Sequence, residues 1–241
     1  MVSRVLKNSI FLRIYAGLVV LVVVVAVFCY LLVQIINYQR AQEYRESLTD
    51  GISYVISEGV ARQPEKQQKL DWISDASDLL ELPIYYVDAA RVELSRTERK
   101  RIAEQKSVVR YDANNGIGYV IIGLKDDPKH FLYIKVDKIG ERQMKALPIF
   151  VLDYLIFYPG QEREYLEKIK KHFYYPIEIA DIRDINLDSE QIGRLRQGQS
   201  VLLYKDSASI RGTTISIVSP MPNHPAQVLV LGPVPMFNWM P

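Results

Sequence analysis

Three histidines, His130, His172 and His224, are the side chains of this sequence whose ordinary titration falls near neutrality. None sits in H-E-x-x-H, and no two share a spacing that would bring them onto one helix face. No G-x-S-x-G, P-loop or dinucleotide-binding glycine pattern occurs; Gly116-x-Gly118 alone is too short and precedes a predicted strand. The single cysteine, Cys29, excludes an intrachain disulfide and a multi-cysteine zinc site. No catalytic, cofactor-binding or metal-ligating set is therefore expected. What remains could sense rather than react. Asp126 and Asp127 form an acidic pair in a predicted hairpin tip, a solvated turn or else a cation site. His130 and His224 fall in the corresponding hairpins of two repeated units and are candidate pH sensors.

Other clusters have blander readings. Arg96, Arg99, Lys100 and Arg101 on one short helix read as a solvated basic face, with anionic headgroups as the functional alternative. The aromatic runs Tyr154–Tyr158 and His172–Tyr175 read mostly as core, though they could line a ligand cavity.

The elements that would position these residues begin with a membrane anchor. From Ile14 to Gln39 there is no charged residue, and Ile14–Val33 is almost purely apolar. At about 1.5 Å per residue that stretch matches the roughly 30 Å hydrocarbon layer of a bilayer. Val19–Val27 is a poor helix former in water, but in lipid the backbone must satisfy its own hydrogen bonds. No A-x-A pattern follows it, and Phe28 before Cys29 disfavours a lipoprotein signal, so an uncleaved anchor is expected, with Cys29 an inert lipid-facing or helix-packing residue and palmitoylation the functional alternative. Arg4, Lys7 and Arg13 precede the span, whereas Arg40 and Arg45 after it are interleaved with Glu43 and Glu46; this favours a cytoplasmic N-terminus and a periplasmic body. The run Pro148–Tyr158 is too short to span and reads as a core helix.

The 241 residues carry 30 basic and 28 acidic side chains, and three of the basic ones lie in the first 33 residues. The body is thus close to neutral and lacks the basic footprint of a nucleic-acid binder.

That body reads as a duplication. An offset of 93 residues aligns 83–113 with 176–206, pairing Pro83/Pro176, Ile84/Ile177, Asp88/Asp181, Leu94/Leu187, Arg101/Arg194, Ser107/Ser200, Val108/Val201 and Tyr111/Tyr204 as identities. Upstream, Trp72, Ile73, Ala76 and Leu80 match Tyr165, Leu166, Ile169 and Phe173 as apolar helix faces. Each unit then shows a strand, a capping signal (Ser95-x-x-Glu98 and Asp188-x-x-Gln191) and three further strands. Asn114-Asn115-Gly116 supplies a turn, and the last hairpin is expected to be about three residues longer in the second unit. The fold class is α+β: an N-terminal transmembrane helix, then two tandem α/β sensor-like repeats, each an antiparallel sheet with helices on one face. The expected boundaries are a tail at 1–13, the membrane helix at 14–36, a juxtamembrane helix at 37–62, repeats at 63–139 and 140–236, and the start of a second membrane interface at 237–241. In the juxtamembrane helix, Leu48, Ile52, Val55 and Ile56 recur at helical spacing, with Gly51 a local weak point. This stripe packs on its own domain or on a second copy of the chain.

The segment Val228-Leu-Val-Leu-Gly232-Pro-Val-Pro235, followed by Met236-Phe237-Asn238-Trp239, resembles the last strand and membrane re-entry of RstB-type sensor histidine kinases, most closely the biofilm-regulating members. The resemblance implies a bacterial inner-membrane protein whose periplasmic unit leads through G-P-V-P to a second membrane helix, acting as a homodimer with a kinase core and a response regulator. The tandem repeat departs from the single sensor unit expected in that family. The family's phosphoacceptor histidine is followed by Glu and later Pro, whereas Phe131, Phe173 and Pro225 follow the three histidines here, and the ATP-binding boxes are absent. The chain therefore reads as an input region without enzyme activity, stopping where the second helix is expected. The alternative is a membrane-anchored periplasmic binding or envelope-assembly protein with no kinase activity.

Overall fold

The structure, a computed structural model, describes residues 10–112, 115–137, 140–207 and 212–235. The N-terminal tail before Ile10, Asn114 of the predicted turn and the segment Met236–Trp239 lie outside the described residues. The described chain forms two compact units divided between Tyr44 and Arg45.

The first unit is the N-terminal part of one uninterrupted helix, α1 (Ile10–Ala61). Between Ile14 and Ile36 its large apolar side chains are exposed, and so is Cys29. Among the described residues this is the one helix long and apolar enough to cross a membrane.

The second unit contains the rest of α1 and all other elements. They are α2 (Lys66–Leu80), β1 (Ile84–Asp88), α3 (Arg96–Ala103), β2 (Val108–Asp112), β3 (Ile117–Gly123), β4 (His130–Val136), α4 (Glu141–Ile156), α5 (Glu162–Lys170), β5 (Ile177–Asp181), α6 (Ser189–Arg196), β6 (Val201–Ser207), β7 (Gly212–Met221) and β8 (His224–Pro235). Each sheet is antiparallel throughout, in the orders β1-β4-β3-β2 and β5-β8-β7-β6.

Local chemistry repeats as the sequence predicts. Ser95 Oγ accepts from Glu98 N at 3.3 Å while Glu98 Oε2 accepts from Ser95 N at 2.7 Å. Asp188 and Gln191 make the same reciprocal pair at 2.7 and 3.0 Å. One turn earlier, Asp88 and Asp181 each cap a short 3-10 turn, accepting from Ala90 N and Arg183 N. The cores correspond position by position. In the first sheet Val108, Ile121 and Phe131 pack with Ala89, Val92, Leu94, Ile102 and Tyr133; in the second Val201, Val218 and Val228 pack with Ile182, Ile185, Leu187, Leu195 and Val230.

Three expectations change. First, helices do not cover a single face. The oppositely directed Val120, Ile122, Leu132 and Ile134 are also buried, as are Leu202, Ile217, Leu229 and Leu231 in the second sheet. The strands read as near-continuous apolar runs, such as Tyr119-Val-Ile-Ile122, because α3 or α6 packs on one side and the longer helices on the other. Second, the extra length of the second repeat lies in the β6–β7 arms, not the last hairpin. Pairing runs from Val108↔Ile121 to Asp112↔Ile117 in one sheet, and from Val201↔Val218 to Ser207↔Gly212 in the other. Third, the helix at Pro148–Tyr158 starts earlier and carries Pro148 inside it.

The juxtamembrane part of α1 also has a counterpart. The buried positions Gly51, Ser53, Val55, Ile56, Ser57, Gly59 and Val60 reproduce the spacing of Ala146, Pro148, Phe150, Val151, Leu152, Tyr154 and Leu155 in α4. It is the first helix of the first repeat as well as the continuation of the apolar span.

Candidate functional site

In the second unit the stretch of α1 between Glu46 and Asp50, with the turns that follow to Arg62, is gripped from two sides. On one side stands the first repeat. Asp50 Oδ1 accepts from the Ser107 N–H at 2.9 Å and from Ser107 Oγ at 2.8 Å. Arg101 Nη2 donates to both Asp50 oxygens at 3.1 Å, and Arg101 Nε donates to the Ser107 carbonyl at 2.9 Å with Glu46 Oε2 at 3.2 Å. Thr49 Oγ1 lies 2.7 Å from Ser107 Oγ, and Ser57 Oγ donates to the Gly123 carbonyl at 3.0 Å. Glu46 and Asp50 are one helical turn apart, so both carboxylates face the same guanidinium. Ser107 is fully buried, and charge-assisted bonds in such a site are stronger than their surface equivalents.

On the other side stand α4 and the end of α5. The Phe173 ring lies where a side chain on Gly51 would project, with 2.5 Å to its Cγ, so Gly51 is a site of close approach rather than a weak point. Tyr54 stacks on His172 with ring centroids 3.8 Å apart and planes within 8°. At the end of α1 the Arg62 guanidinium lies over Tyr154, Phe157 and Tyr158 at 4.4, 4.7 and 5.4 Å, and Tyr158 is itself stacked on Tyr165 at 3.4 Å. Arg62 Nε and Nη2 are buried without a hydrogen-bond partner, so ring faces are what this cation meets there. Burial pushes the His172 imidazole below its ordinary pKa, with the Lys171 charge acting the same way and the Asp50 carboxylate opposing.

The predicted sensing residues fall elsewhere. His130 Nδ1 lies 2.9 Å from both carboxylate oxygens of Asp127, its ring is stacked on Tyr86 at 4.4 Å, and the Tyr86 hydroxyl donates to the same carboxylate. Burial and that bond push the Tyr86 phenol up to about 12. Burial alone would raise Asp127, but Tyr86 and His130 outweigh it and hold the carboxyl below its usual range. Asp126 is exposed and apart from this contact. His224 faces Glu162 at 4.0 Å. The histidines are not equivalent, since Asp88 pairs with His130 whereas the corresponding Asp181 pairs with Gln227. Leu48, Val55 and Ile56 are buried by the chain's own body, and Ile52 is half-buried.

The basic cluster divides. Lys100 is exposed, but Arg101 turns inward to Asp50, against the expectation of a wholly solvated face. Its identity with Arg194 was the sequence signal for a structural role. Arg62 and His172 had no such signal, since their partners lie about 100 residues away along the chain. Among the described residues no group of three or more His, Cys, Asp or Glu is placed to hold a metal ion. No family model and no curated protein matches this chain.

Proposed function

We propose that this chain is the periplasmic signal-sensing input region of a two-component sensor histidine kinase, anchored in a bacterial inner membrane with its N-terminus in the cytoplasm. One observation carries the reading: the helix that holds the membrane-length apolar segment is the same helix whose later turns are clamped between the two repeats by Arg101 and by the Arg62 aromatic box. A shift in how the repeats pack on Glu46–Arg62 would change the position or rotation of α1. A helix of continuous hydrogen bonding passes such a displacement along its axis. A stimulus that binds one packing better than another shifts the population between them. The strand leading to Gly232 gives a second exit toward a following membrane helix and kinase core, as in the RstB-type layout. A homodimer would couple two such helices through surfaces other than Leu48, Val55 and Ile56, which the chain itself covers.

Two experiments test this. Alkaline phosphatase inserted in the β2–β3 turn is expected to be active in cells, which requires a periplasmic body; inactivity there reverses the orientation. Residues 1–241 joined to a histidine-kinase core should give regulator phosphorylation that changes at least threefold on Asp50→Ala or Arg62→Ala at equal membrane abundance. Output indifferent to both substitutions favours the anchored binding or assembly protein instead.

A further inference from the structure

The two repeats carry a cavity at the same place, between the end of the capped helix and the last hairpin. In the first repeat Ile102, Gly123, Leu124, Pro128 and Phe131 line a space of about 640 Å³. In the second, Leu195, Pro220, Met221, Pro225 and Val228 stand at the corresponding positions in a cleft of about 740 Å³. That cleft also opens under α4, where Lys145, Ile149, Leu152 and Ser200 line it.

The polar end of the second cleft, at Lys145 and Ser200, corresponds in the first repeat to Asp50 and Ser107, which lie outside the space of about 640 Å³. In that repeat the Asp50 carboxylate meets the N–H and hydroxyl of Ser107 and the Arg101 guanidinium. Arg101 and Ser107 recur as Arg194 and Ser200. The carboxylate does not recur. The matched burial of α1 and α4 puts Glu141 where Glu46 stands, and Lys145 where Asp50 stands. Ser200 Oγ turns instead to Ser219 Oγ at 3.0 Å. The mouth is basic: Arg142, Lys145 and Arg196 line it, against Glu81, which pairs with Arg142. Lys145 pairs with the more exposed Glu141 on its own helix.

We propose that the cleft of the second repeat binds a carboxylate borne on a single apolar chain, a free medium-chain fatty acid. Its head takes the place that Asp50 fills in the first repeat, against Lys145 and Ser200. Its tail lies on Ile149, Leu152, Leu195 and Met221, an apolar floor of the size and character of small-molecule sites. The first repeat cannot take the same guest at this point, because its own helix already supplies the carboxylate. The inference rests on the duplicated fold and not on the sensing role.

The test uses the full chain in lipid nanodiscs and a photoactivatable diazirine analogue of decanoate, with labelled peptides identified by mass spectrometry. Labelling is expected to saturate and to fall on the peptides that carry Ile149 and Met221. Decanoate should compete at least tenfold better than decanol, which lacks the charge, and acetate, which lacks the tail. Lys145→Glu should reduce saturable labelling at least tenfold. Lys145→Asp recreates the first-repeat arrangement, so it should lose labelling while its thermal midpoint stays at or above the parent's. Ile149→Trp, on the exposed rim, blocks the cleft without touching the buried core and should also abolish labelling. Decanol competing as well as decanoate, labelling unchanged in Lys145→Glu and Ile149→Trp, or saturable labelling confined to other peptides would each overturn the assignment. The readout is occupancy alone, so such a result leaves the sensing role standing.

Discussion

Arg101 Nη2 lies 3.1 Å from each carboxylate oxygen of Asp50, joining a short capped helix to a long one across 51 residues of sequence. The pair is mostly shielded from solvent, with side-chain exposures of 20% and 14%. Removing Arg101 leaves the Asp50 and Glu46 carboxylates without their shared cation, and breaking a largely shielded pair in this way costs roughly 3 kcal/mol. Arg101→Ala should destabilise the chain by about that amount in urea unfolding, and Asp50→Ala, which leaves Arg101 its contact with Glu46, should cost less. The double variant should cost clearly less than the two together, because both singles break the same interaction. Full additivity would mean that the two residues act through separate partners.

Gly51 sets two effects of known size against each other. Alanine in a helix interior gains about 1 kcal/mol over glycine. Here its methyl would meet the Phe173 ring at 2.5 Å, and overpacking of a buried site costs roughly 1–3 kcal/mol. Phe173 is buried and flanked edge-on by Tyr175, so it has little room to retreat. Gly51→Ala should therefore destabilise by about 1 kcal/mol, and Phe173→Leu in the same chain should recover part of the loss. Stabilisation by Gly51→Ala alone would show that the ring moves freely.

The parts of this fold legible in the sequence are those whose physics is local. The capping boxes at Ser95 and Asp188, the succession of strands along the chain and the apolar helix faces all depend on residues within a few positions of one another. The repeat added long-range information, because Arg101 and Ser107 recur as Arg194 and Ser200. What the sequence hid was partner choice. Nothing in Arg62 announces that Tyr154 and Phe157 will stand around it, and nothing in a basic run separates the inward Arg101 from the outward Lys100. The register of β4 and β8 likewise decides that His130 faces Asp88 and that His224 has no such place.

Protons should weaken the grip on α1 through His172. Its pKa in the folded chain is below the ordinary value of about 6.5, so the neutral ring is the form the fold prefers. The unfolded chain takes up the proton first as pH falls. Its contribution is therefore present above about pH 6.5 and is lost as pH drops toward the folded value. Thermal midpoints measured from pH 7.5 to 5.5 should fall for the parent and fall less for His172→Phe, which keeps a ring against Tyr54. Identical slopes would assign the acid sensitivity to other groups.

A second window lies lower. The Glu98 carboxyl is held down to about 2, chiefly by its bond to Arg110 and helped by its capping bonds to Ser95, with burial opposing. Because this pKa is depressed, its stabilisation is complete above the ordinary carboxylate range and is lost as pH falls toward 2. Arg110 is about one-third exposed, so solvent screening limits the contribution to about 1 kcal/mol. Glu98→Gln keeps the side-chain oxygen that caps Ser95 and removes the charge. It should flatten the acid limb of the unfolding profile between pH 5 and 3, and an unchanged limb would place the sensitivity elsewhere.

Arg62 separates the value of a cation on aromatic faces from the cost of hiding its donors. Three rings stand within 5.4 Å of its guanidinium carbon, and desolvated contacts of this kind contribute about 2 kcal/mol. Against that, Nε and Nη2 are buried with no acceptor, and each orphaned donor costs roughly 1–3 kcal/mol. The cost of the two donors equals or exceeds the ring contribution, so an apolar chain of similar length should serve as well. Arg62→Met is expected to stay within about 1 kcal/mol of the parent, since buried charges are often replaced by packed apolar groups without loss. Arg62→Ala removes the packing too and should cost more than about 2 kcal/mol. Hydrogen exchange over the end of α1 and over Tyr154–Tyr158 would rise in the alanine variant only. If Arg62→Met is as damaging as Arg62→Ala, the charge itself holds the helix, and the aromatic box is a receptor for a cation and not merely a packed corner.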